Sequence, residues 1–168
     1  MTLAELAVGK AYLTGRGTEK DIYQALVFLK KAADKDNTEA QCLFGTNVDF
    51  IDIAEDEKYK KLKKEWCPNE SSDDFSVAYI RKACVKNYPP AQFTLGLHFF
   101  LKDNYQYAFE LYERAAKNGH ILAKRYLADC YLNGYGCRKN IKLAKEWYQK
   151  AAEGKDSTAK KKLENWKL

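Results

Sequence analysis

Apolar residues recur along this chain at helical spacing, in pairs of segments of unequal polarity. Ala123, Leu127, Cys130 and Tyr131 stand at i, i+4, i+7 and i+8, which is one face of a helix. Beyond a loop holding Gly134 and Gly136, Ala144, Trp147, Tyr148, Ala151 and Ala152 trace a second apolar stripe. Neither helix hides its stripe alone. The same two-helix pattern returns through the chain. Its first alanine falls at Ala4, Ala40, Ala91, Ala123 and Ala159, in steps of 36, 51, 32 and 36 residues. A small residue opens the second stripe at Ala25, Ser76, Ala108 and Ala144, always 15 residues before the next first alanine. All variation in length therefore sits in the first helix and its loop. Unit two carries 15 extra residues and unit three lacks four. Helix–turn–helix repetition at this period predicts an all-α solenoid.

Finer features agree with that register. Asp21, Ser72, Asn104 and Asn140 stand four residues before each second-stripe small residue. Their side chains accept from the orphan N–H groups of a first helical turn, so each marks a helix start. The small pairs Ala32-Ala33, Ala83-Cys84, Ala115-Ala116 and Ala151-Ala152 permit close helix approach, with aromatics filling the gaps. Unit one reads as helix 3–14, a glycine loop and helix 22–35. In unit two the first helix is expected to run past its usual end. Tyr59, Leu62 and Trp66 share one face, and the acidic Glu55 to Glu57 suit a helix start near Ile53. Cys67-Pro68-Asn69 ends that segment and Ser71-Ser72 restarts the chain. Pro89-Pro90 opens unit three. In the tail, Ser157 or Asp156 caps a closing helix that puts Ala159, Leu163 and Trp166 on one face.

The pattern A-x-x-x-L-G-x-x-Y-x-x-G-x-G followed by A-x-x-W-Y-x-K-A-A resembles the Sel1-like repeat, a relative of the tetratricopeptide repeat. Unit one matches at Ala4, Gly9, Tyr12, Gly15, Gly17, Ala25, Lys31, Ala32 and Ala33. Unit three matches at Ala91, Leu95, Gly96, Ala108, Tyr112, Ala115, Ala116 and Gly119. Unit four matches almost throughout, with Ala128 in place of the first-helix glycine. Unit two departs, with Val48 at the tyrosine position and the insertion in place of the glycine loop; unit three lacks the G-x-G loop. The resemblance implies a right-handed α/α superhelix forming one solenoid domain over residues 1–168. Its repeats would span about 3–38, 39–88 (insertion about 47–72), 89–120 and 121–155, with a capping helix at 156–168. It implies protein–protein contacts and no catalytic residues.

Charge adds one option. The net charge of +6 is concentrated near one end: residues 138–168 hold ten basic and four acidic side chains, while 1–137 hold 19 of each. A basic end meets nucleic acid or an acidic surface in one reading and is a solubilising cap in the plainer one. No nucleic-acid motif accompanies it, and lysine dominates over arginine. No apolar run of eighteen residues is present, which argues against a membrane span. The first residues already read as a helix rather than a signal peptide, so a cytoplasmic protein is expected.

Candidate chemistry is sparse. The five cysteines, Cys42, Cys67, Cys84, Cys130 and Cys137, are odd in number and contain no C-x-x-C. They read as reduced thiols in packing positions, although Cys130 and Cys137 are close enough in sequence to approach each other. A secreted branch of the Sel1-like family bridges the last small position of a second helix to a cysteine eight residues on; Cys84 fits, but the partner position holds Gln92. His98 is expected on a packed face and His120 in a core or cap role. No metal-ligand or nucleophile motif occurs, so neither enzyme nor cofactor is expected.

Function is therefore sought on a surface. In this architecture first helices line the concave side, and three positions per helix point away from the second-helix layer. They are Leu6, Lys10 and Leu13; Cys42, Thr46 and Asp49; Phe93, Leu97 and Phe100; Arg125, Asp129 and Leu132; and Lys161 and Asn165. Phe93, Leu97 and Phe100 are expected to be the exposed apolar centre of a partner-binding groove. Burial of those three by the short loop of unit three is the competing expectation. Tyr59, Leu62 and Trp66 of the insertion either fold back on unit one or are covered by a partner. The expected partner is a helix or extended segment of another protein, gripped by a monomer or weak homodimer. The resemblance extends to immunity proteins that antagonise a toxin or effector and to signalling adaptors. Regulatory binding of nucleic acid or an acidic surface through 138–168 is the alternative.

Overall fold

The computed structural model describes residues 1–49, 51, 54–67 and 72–166, without the side chains of 72 and 73. Ten α-helices are present among these residues, and no strand. The chain divides into two units, Met1–Lys86 and Asn87–Leu168. In the first, α1 (Thr2–Thr14) pairs with α2 (Ile22–Asp34), α2 packs on α3 (Thr38–Asn47), and α3 packs on α5 (Ser72–Val85), with α4 (Glu57–Trp66) between them in sequence. In the second, α6 (Pro89–Leu101), α7 (Tyr105–Lys117), α8 (Ile121–Asn133), α9 (Ile141–Glu153) and α10 (Ser157–Asn165) pack each on its successor.

Caps and turns explain where these helices begin and end. The side chains of Asp21, Asn104 and Asn140 accept from the backbone N–H of Gln24, Tyr107 and Leu143, as expected. Asn37, Asp56 and Asp156 cap α3, α4 and α10 in the same way. The Ser72 side chain, the expected cap, and the breaks expected at Pro68, Asn69 and Ser71 lie outside the described residues. So does Ile53. After each second helix one residue turns left-handed, at Asp36, Asn87, Gly119 and Lys155. These four keep the 51, 32 and 36 spacing of the repeat. Gly136 is also left-handed (φ 67°), and a Cβ there would stand 2.0 Å from the carbonyl oxygen of Tyr105. Only glycine allows that approach.

Packing follows the small-residue register. In one cluster Ala32 and Ala33 of α2 lie against Ala40 and Phe44 of α3. In another Ala115 and Ala116 of α7 meet Ala123 and Leu127 of α8. In a third, Ala151 and Ala152 of α9 meet Ala159 and Leu163 of α10. The insertion corrects one expectation. The first helix of unit two is not prolonged: α3 ends at Asn47, and α4 is a separate helix started by the Asp56 cap. It folds back on unit one. Tyr59 and Leu62 are buried, Tyr59 meets Tyr23 edge to face at 5.8 Å, and Trp66 meets Phe44 at 5.6 Å. Edge-on pairs of this kind satisfy the ring quadrupoles as well as burying area.

Candidate functional site

The first-helix positions divide by how much of each side chain the fold consumes. In the first unit Leu6 is buried and Leu13 half-buried, whereas Lys10, Thr46 and Asp49 are exposed. Lys10 bridges to Glu39 at 2.7 Å, and the Thr46 hydroxyl donates to the Cys42 carbonyl. In the second unit Arg125, Asp129 and Leu132 are half-buried, and Lys161 and Asn165 exposed. Arg125 Nε lies 3.0 Å from Asp156 Oδ2. Asp129 accepts from both the Tyr148 hydroxyl and Lys162 Nζ. Those two charges stitch α8 to α9 and α10.

Phe93 is corrected. It is 8 % exposed, not open to solvent. His120 stacks on it at 4.7 Å, with Tyr126 at 5.3 Å and Tyr112 at 5.9 Å. Phe100 is half-buried under Tyr105 and Tyr135 at 5.1 and 5.3 Å, and Leu97 is half-buried too. The cause is local. A tight turn through Asp103 (φ 58°) brings α7 back at once, and the Gly134-Tyr135-Gly136 loop lays Tyr135 over the same rings.

An open apolar surface lies on α1. A concavity of about 350 Å³ is lined by Leu3, Leu6, Ala7, Lys10, Ala11, Thr14 and Arg16. It contains two of the predicted contact residues, Leu6 and Lys10. Leu3 is 74 % exposed and Val8, on the same helix, 37 %. Leu3, Ala7 and Ala11 went unassigned because they fall outside the three counted positions. Their signal was the helix itself, which carries only Glu5 and Lys10 as charges among thirteen residues. A second cavity of about 370 Å³ lies between α2 and α4, lined by Tyr23, Val27, Lys30, Lys31, Asp34, Leu62, Glu65 and Trp66. Lys30 bridges Asp34 along its α2 wall at 2.6 Å.

The remaining titratable groups serve packing. Burial pushes the thiols of Cys42 and Cys130 up to about 12, which removes thiolate character. None of the five cysteines forms a disulfide, and the Cys137 thiol donates to the Cys130 carbonyl at 3.5 Å. His120 is a cap, as expected: its Nδ1 accepts from the N–H of Ala123, and burial holds its pKa below the ordinary value. Among the described residues no three His, Cys, Asp or Glu side chains gather as a metal site, and no helix is long and apolar enough to cross a membrane.

Comparison with known proteins accords with this architecture. The Sel1 repeat matches residues 2–37, 89–120 and 121–156. An uncharacterised Sel1-like repeat-containing protein of Schizosaccharomyces pombe is 27 % identical over 146 residues, covering 87 % of this chain and 20 % of its own. Chitin synthase regulatory factor 3 of the same yeast is 26 % identical over 176 residues, covering 99 % and 17 %. The chain thus spans about a fifth of the length of the curated relatives it matches. Among solved structures, a Sel1 repeat protein from Oxalobacter formigenes superposes with a TM-score of 0.75 at 25 % identity, covering 97 % of this chain and 62 % of that one. Such repeats are in general non-catalytic and mediate protein–protein interaction. On its matched repeats, its all-helical hairpins and this structural likeness, the chain belongs to the Sel1 repeat family.

Proposed function

We propose that this chain is a protein-interaction module without chemistry of its own, and that a partner protein docks on its first-helix surface with α1 as the main contact. One observation carries the reading: the apolar concavity on α1, which takes in Leu6 and Lys10 and leaves Leu3 open to water. A rimmed apolar hollow of this kind is costly to leave bare and supplies anchor-pocket chemistry. Exposed Lys10, Thr46 and Asp49 give the polar rim in the first unit. In the second unit the half-buried edges of Leu97, Phe100, Arg125, Asp129 and Leu132 offer a lesser surface. A regulatory adaptor role is favoured over antagonism of a toxin, because one relative bears the name of a regulatory factor. Affinity capture with wild-type chain and with Leu3→Asp tests the reading. Leu3 is exposed, so the variant folds; it is expected to lose the captured partner, and full retention would refute α1 as the contact.

A further inference from the structure

We infer that the loop edge of the second unit is a docking surface for an anionic lipid bilayer, met by apolar and tyrosine tips set among unpaired cations. This edge is separate from the partner surface on α1, and the inference stands without it. The turn from α6 to α7 and the loop from α8 to α9 lie side by side there. Gly136 abuts the Tyr105 backbone, and the Tyr135 ring stands 5.3 Å from Phe100 and 5.1 Å from Tyr105. Leu101 ends α6 and Ile141 begins α9, so both belong to this edge. They are the most open large apolar side chains described in the unit, at 81 % and 57 % exposure, and Tyr135 is exposed with them. The charge is one-sided. Residues 101–105 and 133–142 carry Lys102, Arg138, Lys139 and Lys142 against a single acid, Asp103, which accepts from the Tyr105 hydroxyl at 2.5 Å. Arg138, Lys139 and Lys142 are exposed and make no ion pair among the described residues. Arg125 and Lys162 of the same unit are instead bridged to Asp156 and Asp129.

Shape and charge together select the occupant. Leu101 and Ile141 stand at helix ends, where side chains form tips rather than a hollow. A bilayer interface yields around such tips, takes tyrosine at the level of the headgroups, and draws lysine and arginine to acidic lipids. Nucleic acid satisfies only the cations. It would leave Leu101 and Ile141 in water, and the ring faces on which bases stack are partly consumed, because Phe100, Tyr105 and Tyr135 pack on one another. A second copy meeting this edge through a two-fold axis would oppose like charges. Further repeats of the same polypeptide do not compete for it either. Repeats stack through their helix faces, each on its neighbour, so repeats added at either end of the array leave a loop edge open.

The test is cosedimentation of the full chain with vesicles of phosphatidylcholine alone or with about 30 % phosphatidylserine, at about 0.1 M salt. Binding to the anionic vesicles is expected, with partition about tenfold weaker onto neutral ones. Ile141→Asp and the pair Arg138→Glu with Lys139→Glu are each expected to weaken it by about tenfold. The pair Lys160→Glu with Lys161→Glu makes the same change in net charge beyond the far end of α9, about 20 Å away, and is expected to keep binding within about twofold. All five substituted side chains are exposed, so each variant keeps the helical circular dichroism of the wild type. No sedimentation with anionic vesicles would overturn the inference, as would equal loss in the two charge pairs. Polyglutamate or a DNA oligonucleotide bound in place of vesicles, with Ile141→Asp unaffected, would give the edge to an acidic macromolecule and overturn it too.

Discussion

Two side chains in the second unit are unusual in their surroundings. Tyr112 is fully buried, yet its hydroxyl has no hydrogen-bond partner among the described residues, and burial raises its pKa. An unsatisfied buried hydroxyl costs roughly 1–3 kcal/mol. Tyr112→Phe is therefore expected to raise the unfolding free energy by about 1 kcal/mol in urea denaturation, and a loss would mean an unseen partner. His120 caps α8 through an unprotonated Nδ1 while its ring stacks on Phe93. Burial lowers its pKa below 6.5, so the folded state binds fewer protons than the unfolded one. Its contribution to stability is complete above pH 6.5 and is lost as pH falls from there through the lower folded value. Wild type is expected to lose more stability between pH 7.5 and pH 5.5 than His120→Asn, which keeps a capping acceptor that does not titrate. Equal losses in the two proteins would show that the cap is not the titrating element.

At the scale of elements, the helices were legible because caps, small pairs and stripes recur in one register. Asp21, Asn104 and Asn140 announced their helices by chemistry alone. The insertion was harder to read. Tyr59, Leu62 and Trp66 marked a helix face, but whether that helix continued α3 or stood alone depended on Asp56 acting as a cap, a local competition that spacing does not decide. Phe93 was misread for a similar reason. Its exposure hinged on Tyr126 and His120, more than twenty-five residues away in sequence and brought over it by tertiary packing. The docking of α4 is testable through Leu62, which is buried and lines the cavity between α4 and α2 with Tyr23 and Val27. Leu62→Ala is expected to cost about 2–3 kcal/mol of stability in chemical denaturation. A change under about 0.5 kcal/mol would mean that α4 is not held there.

For the molecule as a whole, the sequence announced a repeat but not which of its surfaces is left open. Every first helix carries comparable apolar positions, and the packing shows that Ala40, Ala123 and Ala159 are buried against the helix before them while Leu3 and Val8 of α1 are exposed. The lysine-rich residues 138–168 are in part absorbed by the fold as well, with Lys162 bound to Asp129 and Lys150 over the Trp147 ring at 4.2 Å. Site-directed photocrosslinking tests the account's central claim most directly, with a photoreactive residue placed at Leu3 or, as a control on an exposed second-helix position, at Lys145. The account predicts a discrete crosslinked protein from position 3 and none from position 145, at the same expression and with the same helical circular dichroism. A partner captured only from position 145, or from neither under conditions where it copurifies, would contradict it.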